Sequence, residues 1–380
     1  MAKSNAKKSS LAMFGSFKQI IIPLSALLIL AIVNLFNIKE GRLVFDPSFF
    51  KITRGLNNSG NVTLSGNLIS ILDNGSELAI LAIGMTLVTA ASGGQDISVG
   101  ATIAIAGSVV LRVLCGSNPR PDERLEAPII VAFLIACVVA MLFGAFNGAL
   151  VAVFKIQPMV ATLILFTAGR SIASWINGGQ LPVINNKIEG GETFTYFGGF
   201  IPGIPIPTPF FIALACIIVI ALVLKFTNLG LYTQAVGINE SSSRLNGINP
   251  TFIKFLAFVI LGLCVAVAGL IKVSRISSIN YSVIAKDIEM DAILAVALGG
   301  NALSGGKFNM TSSILGAYVI QFLTTTLYKF KVQSDALPAY KAVVVILLVV
   351  FSAPLVREKI SGFWKKMRSP KVKEVEQNVG

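Results

Sequence analysis

Residues Ser92 to Gly100 read SGGQDISVG, a polar interruption between the apolar runs LAILAIGMTLVTAA and ATIAIAGSVVL. Gly93 and Gly94 supply the backbone angles that a reversal requires. Asp96 and Ser98 are of the types that accept hydrogen bonds from the free N–H groups opening a helix, and a carboxylate complements the positive helix end. The chemistry on offer is a cap, or contact with a moving partner or substrate. Five amides, Asn147, Asn177, Gln180, Asn301 and Gln321, stand in or beside apolar runs. Each is able to bond a neighbouring helix or to face a polar solute in transit.

Other chemistries lack their residues. The chain has no histidine, and Asp96, Glu289, Asp291, Lys155 and Arg170 fall near the ends of apolar runs. A transporter driven by protons or sodium places titratable groups within its spans. No clustered carboxylates, Cys–His pair or Ser–Lys pair marks an enzyme, no metal-ligand spacing occurs, and no G-x-x-x-x-G-K-[ST] loop is present for ATP. Cys115, Cys137, Cys216 and Cys264 are far apart and read as small buried hydrophobes.

The elements that must position these groups are membrane helices. Of 380 residues, 54% are hydrophobic and 13% charged, with a mean hydropathy of +0.79, too little polar surface for a soluble protein of this length. The net charge of +13 is concentrated in the chain ends and short loops, which fits the positive-inside rule better than nucleic-acid binding. Lys3, Lys7, Lys8 and Lys18 precede the run Ile20 to Phe36, which is followed by NIKEGR and not by a cleavage site, so a retained first span is expected.

Apolar runs predict ten spans, at 19–36, 68–91, 97–114, 128–154, 156–177, 207–226, 252–273, 289–303, 308–328 and 338–356. The expected fold is all-α, a polytopic membrane protein of about ten transmembrane helices. A tail at 1–18, a permease domain at 19–356 and a tail at 357–380 follow, with both tails cytoplasmic. Lys39, Arg42, Lys51 and Arg54 in the outer loop 37–67 run against that orientation.

The interruption recurs. Glu77 to Gly94 (ELAILAIGMTLVTAASGG) and Glu289 to Gly306 (EMDAILAVALGGNALSGG) are each eighteen residues long, from a glutamate to Ser-Gly-Gly. Interrupted helices in two halves point to a transport path. The turn residues of interest are Ser92, Gly93, Gly94, Asp96, Ser98 and Gly100 in the first half, and Gly299, Gly300, Ser304, Gly305 and Gly306 in the second.

Four blocks, LAIGMTLVTAASGGQDISVGATIAIAGSVV, KIQPMVATLILFTAGR, AVGINESSSRLNGI and EMDAILAVALGGNALSGGKFNMTSSILGA, in this order, resemble the membrane permease subunits of ABC-type sugar importers. The likeness is to the ribose, xylose and galactofuranose branch, and most to galactofuranose-type permeases. It runs from about residue 68 to 356. It implies a bacterial inner-membrane permease for a small neutral sugar, paired with a second copy or a sister permease. It further implies a sugar-binding protein outside and an ATPase subunit inside that binds ATP and Mg, this chain holding no cofactor. A nucleoside or polyol permease of the same architecture is the alternative, ahead of an ion-coupled transporter. The chain departs from the family at Gln95-Asp96-Ile97, where Ile-Asp-Leu is usual, and at Ser241-Ser242-Ser243-Arg244, where paired alanines are.

Residues 229–251 form the longest loop assigned to the inside. Asn239 is expected to cap a short helix ESSSRLNG that ends at Gly247, with Pro250 beyond it. The resemblance makes this segment the ATPase-coupling element, carried by Gly237, Asn239, Glu240, Arg244 and Gly247, with Arg244 pairing with carboxylates of the ATPase.

Overall fold

The computed structural model describes residues 17–39, 42–56 and 62–352. The basic tails expected at 1–18 and 357–380 lie outside these residues, apart from the two that open the first helix.

The elements run α1 (Phe17–Asn34), hairpin β1 (Phe36–Lys39) with β2 (Arg42–Phe45), a 3-10 turn, hairpin β3 (Thr53–Leu56) with β4 (Val62–Ser65), then α2 (Asn67–Ser92) and α3 (Val99–Cys115). Both hairpins are antiparallel, with Phe36 opposite Phe45 and Thr53 opposite Ser65. Next come α4 (Ile129–Ala152), α5 (Pro158–Ile176), the short α6 (Gly191–Tyr196) and α7 (Thr208–Phe226). The remainder is α8 (Leu229–Ile238), α9 (Glu240–Leu245), α10 (Pro250–Ile276), α11 (Ile288–Leu298), α12 (Met310–Lys329) and α13 (Leu337–Ser352). A long helix occupies nine of the ten expected spans.

Local chemistry sets the boundaries. Asn249 accepts from the N–H of Phe252 at 3.2 Å with Pro250 in the first turn, and Asn309 accepts from the N–H of Ser312 at 3.2 Å. These are N-caps, each satisfying an amide the helix leaves free. Gly93, at φ +67°, closes α2, and its N–H bonds back to the Thr89 carbonyl at 3.0 Å.

Among the described residues five helices, α2, α4, α5, α7 and α10, are long and apolar enough to cross a membrane. Their burial differs sharply. Every residue of α2 from Gly75 to Ala91 is buried, so α2 is the central rod of the body. By contrast α4 and α7 expose large apolar groups such as Leu142 and Phe226, the surface expected against lipid. Lipid tails are as apolar as leucine, so close packing holds such helices together. Ala140, Gly144 and Gly148 recur every fourth residue on the inner face of α4; a Cβ on Gly144 would lie 2.5 Å from the Phe258 carbonyl oxygen of α10, and one on Gly262 2.5 Å from that of Ala140.

Two expectations change. The first interrupted span is one unbroken helix of 26 residues, and only the second half is broken. There α11 stops after 11 residues, about 16 Å at 1.5 Å per residue, roughly half the hydrocarbon depth. The chain then continues to α12 as the irregular segment 299–309. In addition, residues 229–238 of the expected loop are helical.

Candidate functional site

The helices have two distinct ends. At one, the turns after α2 and before α12 meet α8; at the other lie the hairpins, α6 and the α10–α11 connection.

At the first end, three backbones converge. The N–H of Gly306 donates to the Ala90 carbonyl at 2.9 Å, and the Gln95 amide donates to the Leu303 carbonyl at 3.0 Å. A Cβ on Gly93 would lie 2.8 Å from the Ser304 carbonyl oxygen, and one on Gly305 3.0 Å from the Gly93 Cα. Gly305 and Gly306 have φ of +91° and +97°, where side chains are strained. Gly237 in α8 completes the junction: a Cβ there would fall on the Ala90 carbonyl oxygen and lie 2.5 Å from the Gly306 nitrogen. The two Ser-Gly-Gly turns therefore touch each other, and both touch α8.

Around the junction, polar groups tie the turns down. The Asp96 carboxylate is buried and accepts from the backbone N–H and hydroxyl of Ser98 at 2.7 and 2.6 Å, and from the Asn147 amide at 3.2 Å. It organises the turn one step ahead of α3 and leaves the first N–H groups inside that helix alone. Asn147 also donates to the Ser98 hydroxyl at 2.9 Å, locking α4 to this turn. Ser92 donates to the Val88 carbonyl within its own helix at 2.7 Å. In the second half, Asn301 accepts from the Asn309 N–H at 2.6 Å and donates to the Ser313 hydroxyl at 2.7 Å. That pair staples the irregular segment across its own width. Gly299 packs on the start of α12, 2.7 Å from the Ser313 nitrogen for an added Cβ, and Gly300 has φ +72°. Gly100 faces the Glu289 carboxylate of α11.

The segment after α8 is exposed. Asn239 Oδ1 accepts from the N–H of Ser242 at 2.9 Å and starts α9, and Gly247, at φ +78°, follows it. Glu240 pairs with Lys254 at 2.6 Å and Arg244 at 3.4 Å. The Lys254 hydrogen bond holds the Glu240 carboxyl below its ordinary range, against the opposing effect of its partial burial, with the Lys254 and Arg244 charges adding to the lowering. Ser243 is buried, while the Arg244 side chain is 59% exposed and Leu245 is 90% exposed.

At the second end, a cavity of about 450 Å³ opens between α2, α10, α11 and α12. Among its lining groups are Asn74, Glu77, Lys272, Asp291, Gln321 and Tyr328. Lys272 meets Glu77 at 3.1 Å; Arg275 meets Glu77 at 3.1 Å and Asp73 at 2.9 Å; Lys341 meets Asp291 at 2.7 Å. A larger groove, about 840 Å³, lies among loop residues such as Asn118, Glu123 and Glu189 and stays outside the helical body. Of the five amides, Gln321 lines the cavity, Asn147 and Asn301 are engaged at the opposite end, Asn177 is buried with no hydrogen bond to its amide, and Gln180 is exposed. Sequence reading missed the ion pairs. Their signal was the spacing of Asp73 with Glu77 and of Lys272 with Arg275, four and three residues apart on apolar helices, which sets each pair on one face. All four cysteines are free; Cys115, Cys137 and Cys264 are buried and Cys216 is half-buried.

Residues 67–353 match the family described as the branched-chain amino acid transport system / permease component. The chain is 36% identical over 330 residues to the fructose import permease protein FruF of Bifidobacterium longum, covering 86% of this chain and 88% of that one. It is 37% identical over 300 residues to the galactofuranose transporter permease protein YtfT of Escherichia coli, covering 79% and 83%. It is 35% identical over 292 residues to the ribose import permease protein RbsC of Escherichia coli, covering 77% and 87%.

Proposed function

This chain belongs to the branched-chain amino acid transport system / permease component family, and we propose on that premise that it is the membrane-spanning subunit of an ATP-driven importer for a small neutral sugar. It performs no chemistry of its own. A separate ATPase subunit binds ATP and Mg, a sugar-binding protein delivers the substrate outside, and a second permease copy or a sister permease closes the path. The end that carries α8 and α9 faces the cytoplasm of a bacterial inner membrane, as do both chain termini.

The observation that carries this reading is the contact of Gly237 with Ala90 and Gly306. Arg244 and Leu245 on α9 offer a cation and an apolar knob to a groove on the ATPase, with Asn239 fixing the start of that helix and Gly247 releasing its end. Force applied to α9 reaches α8, and through Gly237 both Ser-Gly-Gly turns, with no flexible side chain in between. The permease then re-packs around the path when the ATPases close. Selection among sugars belongs to the binding protein, since tight binding along the path would slow release.

The test is reconstitution with the ATPase and the sugar-binding protein, followed by uptake of labelled ribose, fructose and galactofuranose. ATP-dependent uptake of one of them is the expected result. Uptake of none, with the complex assembled, overturns the sugar reading; uptake of a nucleoside in their place moves the chain to the alternative substrate class.

A further inference from the structure

We infer that the cavity between α2, α10, α11 and α12 is a weak binding site on the path for a neutral, polyhydroxylated solute, with Gln321 as its free recognition group. The inference rests on the sugar-permease reading and gives it a location. The cavity of about 450 Å³ falls within the roughly 300–1,000 Å³ of small-molecule sites.

Charge defines the ligand class. Two carboxylates, Glu77 and Asp291, and two ammonium groups, Lys272 and Lys286, line the space. Each carboxylate already holds a cation, Glu77 from Lys272 and Arg275 and Asp291 from Lys341. No unpaired carboxylate is offered to a cation. Lys272 is spent on Glu77, and Lys286 is exposed at the rim, so no enclosed cation waits for an anion. What remains is a dense set of donors and acceptors with little net charge. A hydroxyl both donates and accepts, so a ring bearing several hydroxyls satisfies such a wall without adding charge to it.

Besides Lys286 at the rim, two polar lining groups are uncommitted. The Gln321 side-chain amide makes no hydrogen bond among the described residues. It lies two turns inside the end of α12, below the mouth of the cavity. Tyr328, one residue from that end and 52% exposed, sets a ring at the mouth, where an amphipathic face meets the C–H side of a sugar. By comparison Asn74 has its carbonyl oxygen on Arg275 at 3.0 Å and its amide on the Ser70 carbonyl at 3.1 Å, and belongs to the wall.

The experiment uses the assembled importer in inside-closed vesicles. With cysteine at position 321 in a background free of the four native cysteines, a charged thiol reagent added outside should label the site. The sugar among ribose, fructose and galactofuranose that the wild type takes up, added with its binding protein, should slow that labelling. A cysteine at Ser282, in the exposed α10–α11 connection, should label equally with and without sugar. Gln321→Leu should lower the maximal uptake rate about five- to tenfold, the scale of one lost hydrogen bond, with ATPase stimulation by the loaded binding protein retained; Gln321→Glu, which keeps an acceptor, should recover part of it. Unprotected labelling at position 321 together with normal uptake by Gln321→Leu overturns the site while leaving the sugar reading intact. Absence of uptake in the wild type overturns that reading, and the site with it.

Discussion

Gly93 and Gly305 lie backbone against backbone: a Cβ added to Gly305 would stand 3.0 Å from the Gly93 Cα. One closes α2, in the first half of the chain, and the other precedes α12, in the second. The recurrence of Ser-Gly-Gly therefore marks two turns that need each other's lack of side chain.

Gly93→Val should be among the most damaging single substitutions at this end. Valine would sit at φ +67° with its Cβ 2.8 Å from the Ser304 carbonyl oxygen, adding about 1–3 kcal/mol of backbone strain to the collision. Gly305→Val should resemble it. Yield of monodisperse protein and uptake are the measurements, and wild-type values for both variants would refute the contact. A cysteine at Ser92 or Ser304 should react with a reagent on the cytoplasmic side only, reporting the orientation independently.

Arg244→Glu should leave the fold intact, since an exposed ion pair contributes less than about 1 kcal/mol, yet reduce co-purification of the ATPase and uncouple ATP hydrolysis from uptake. Leu245→Glu should have the same effect without touching the Glu240 pairing. Normal assembly and uptake in both would remove α9 from the docking surface.

Asp96→Asn should be mild and Asp96→Leu severe. Asparagine keeps an acceptor for Ser98, and the Asn147 amide can turn its oxygen toward the new NH2 group. Leucine strands the Ser98 and Asn147 donors in a buried site, at roughly 1–3 kcal/mol for each. Thermal unfolding in detergent ranks the pair; equal midpoints would contradict the hydrogen-bond geometry.

Arg275→Met should destabilise by roughly 1–3 kcal/mol, because half-buried Asp73 loses its cation while Glu77 keeps Lys272. Adding Asp73→Asn to that variant should restore much of the loss, because the uncompensated charge goes with it. If the double variant is no better than the single one, Arg275 acts through packing alone.

Much of the architecture is legible in the sequence, because a membrane helix is specified by length and apolarity alone. Asn239 capping α9 is equally local, a side chain bonding an amide three residues on. The misses are where tertiary context wins. Gly230 and Gly237 make residues 229–238 read as loop, yet α8 holds together because Gly237 is needed for contact with Ala90, and the second glycine is a packing choice. The break after α11 is no miss: the helix stops at Leu298, just before the Gly299 and Gly300 that the sequence offers as turn residues. Glu77 lies in a polar stretch, DNGSE, within the expected span 68–91, and nothing local marks it as buried; it pairs there with Lys272 and Arg275, almost two hundred residues away. Asn147 and Asn301 carry the same amide as Gln321, and only the fold separates a structural tie from a free group.

The meeting of Gly237, Ala90 and Gly306 has a mechanical meaning. A linkage that runs through long side chains has backlash: rotamers absorb the first ångström of travel before anything downstream moves. Backbone pressed on backbone has almost none. If α9 docks the ATPase as proposed, a stroke delivered there would reach both turns with little lost on the way, and any residue larger than glycine at 237 would either jam the contact or force a gap that introduces play. Gly237→Ala would then idle, hydrolysing ATP on an importer whose gears no longer mesh.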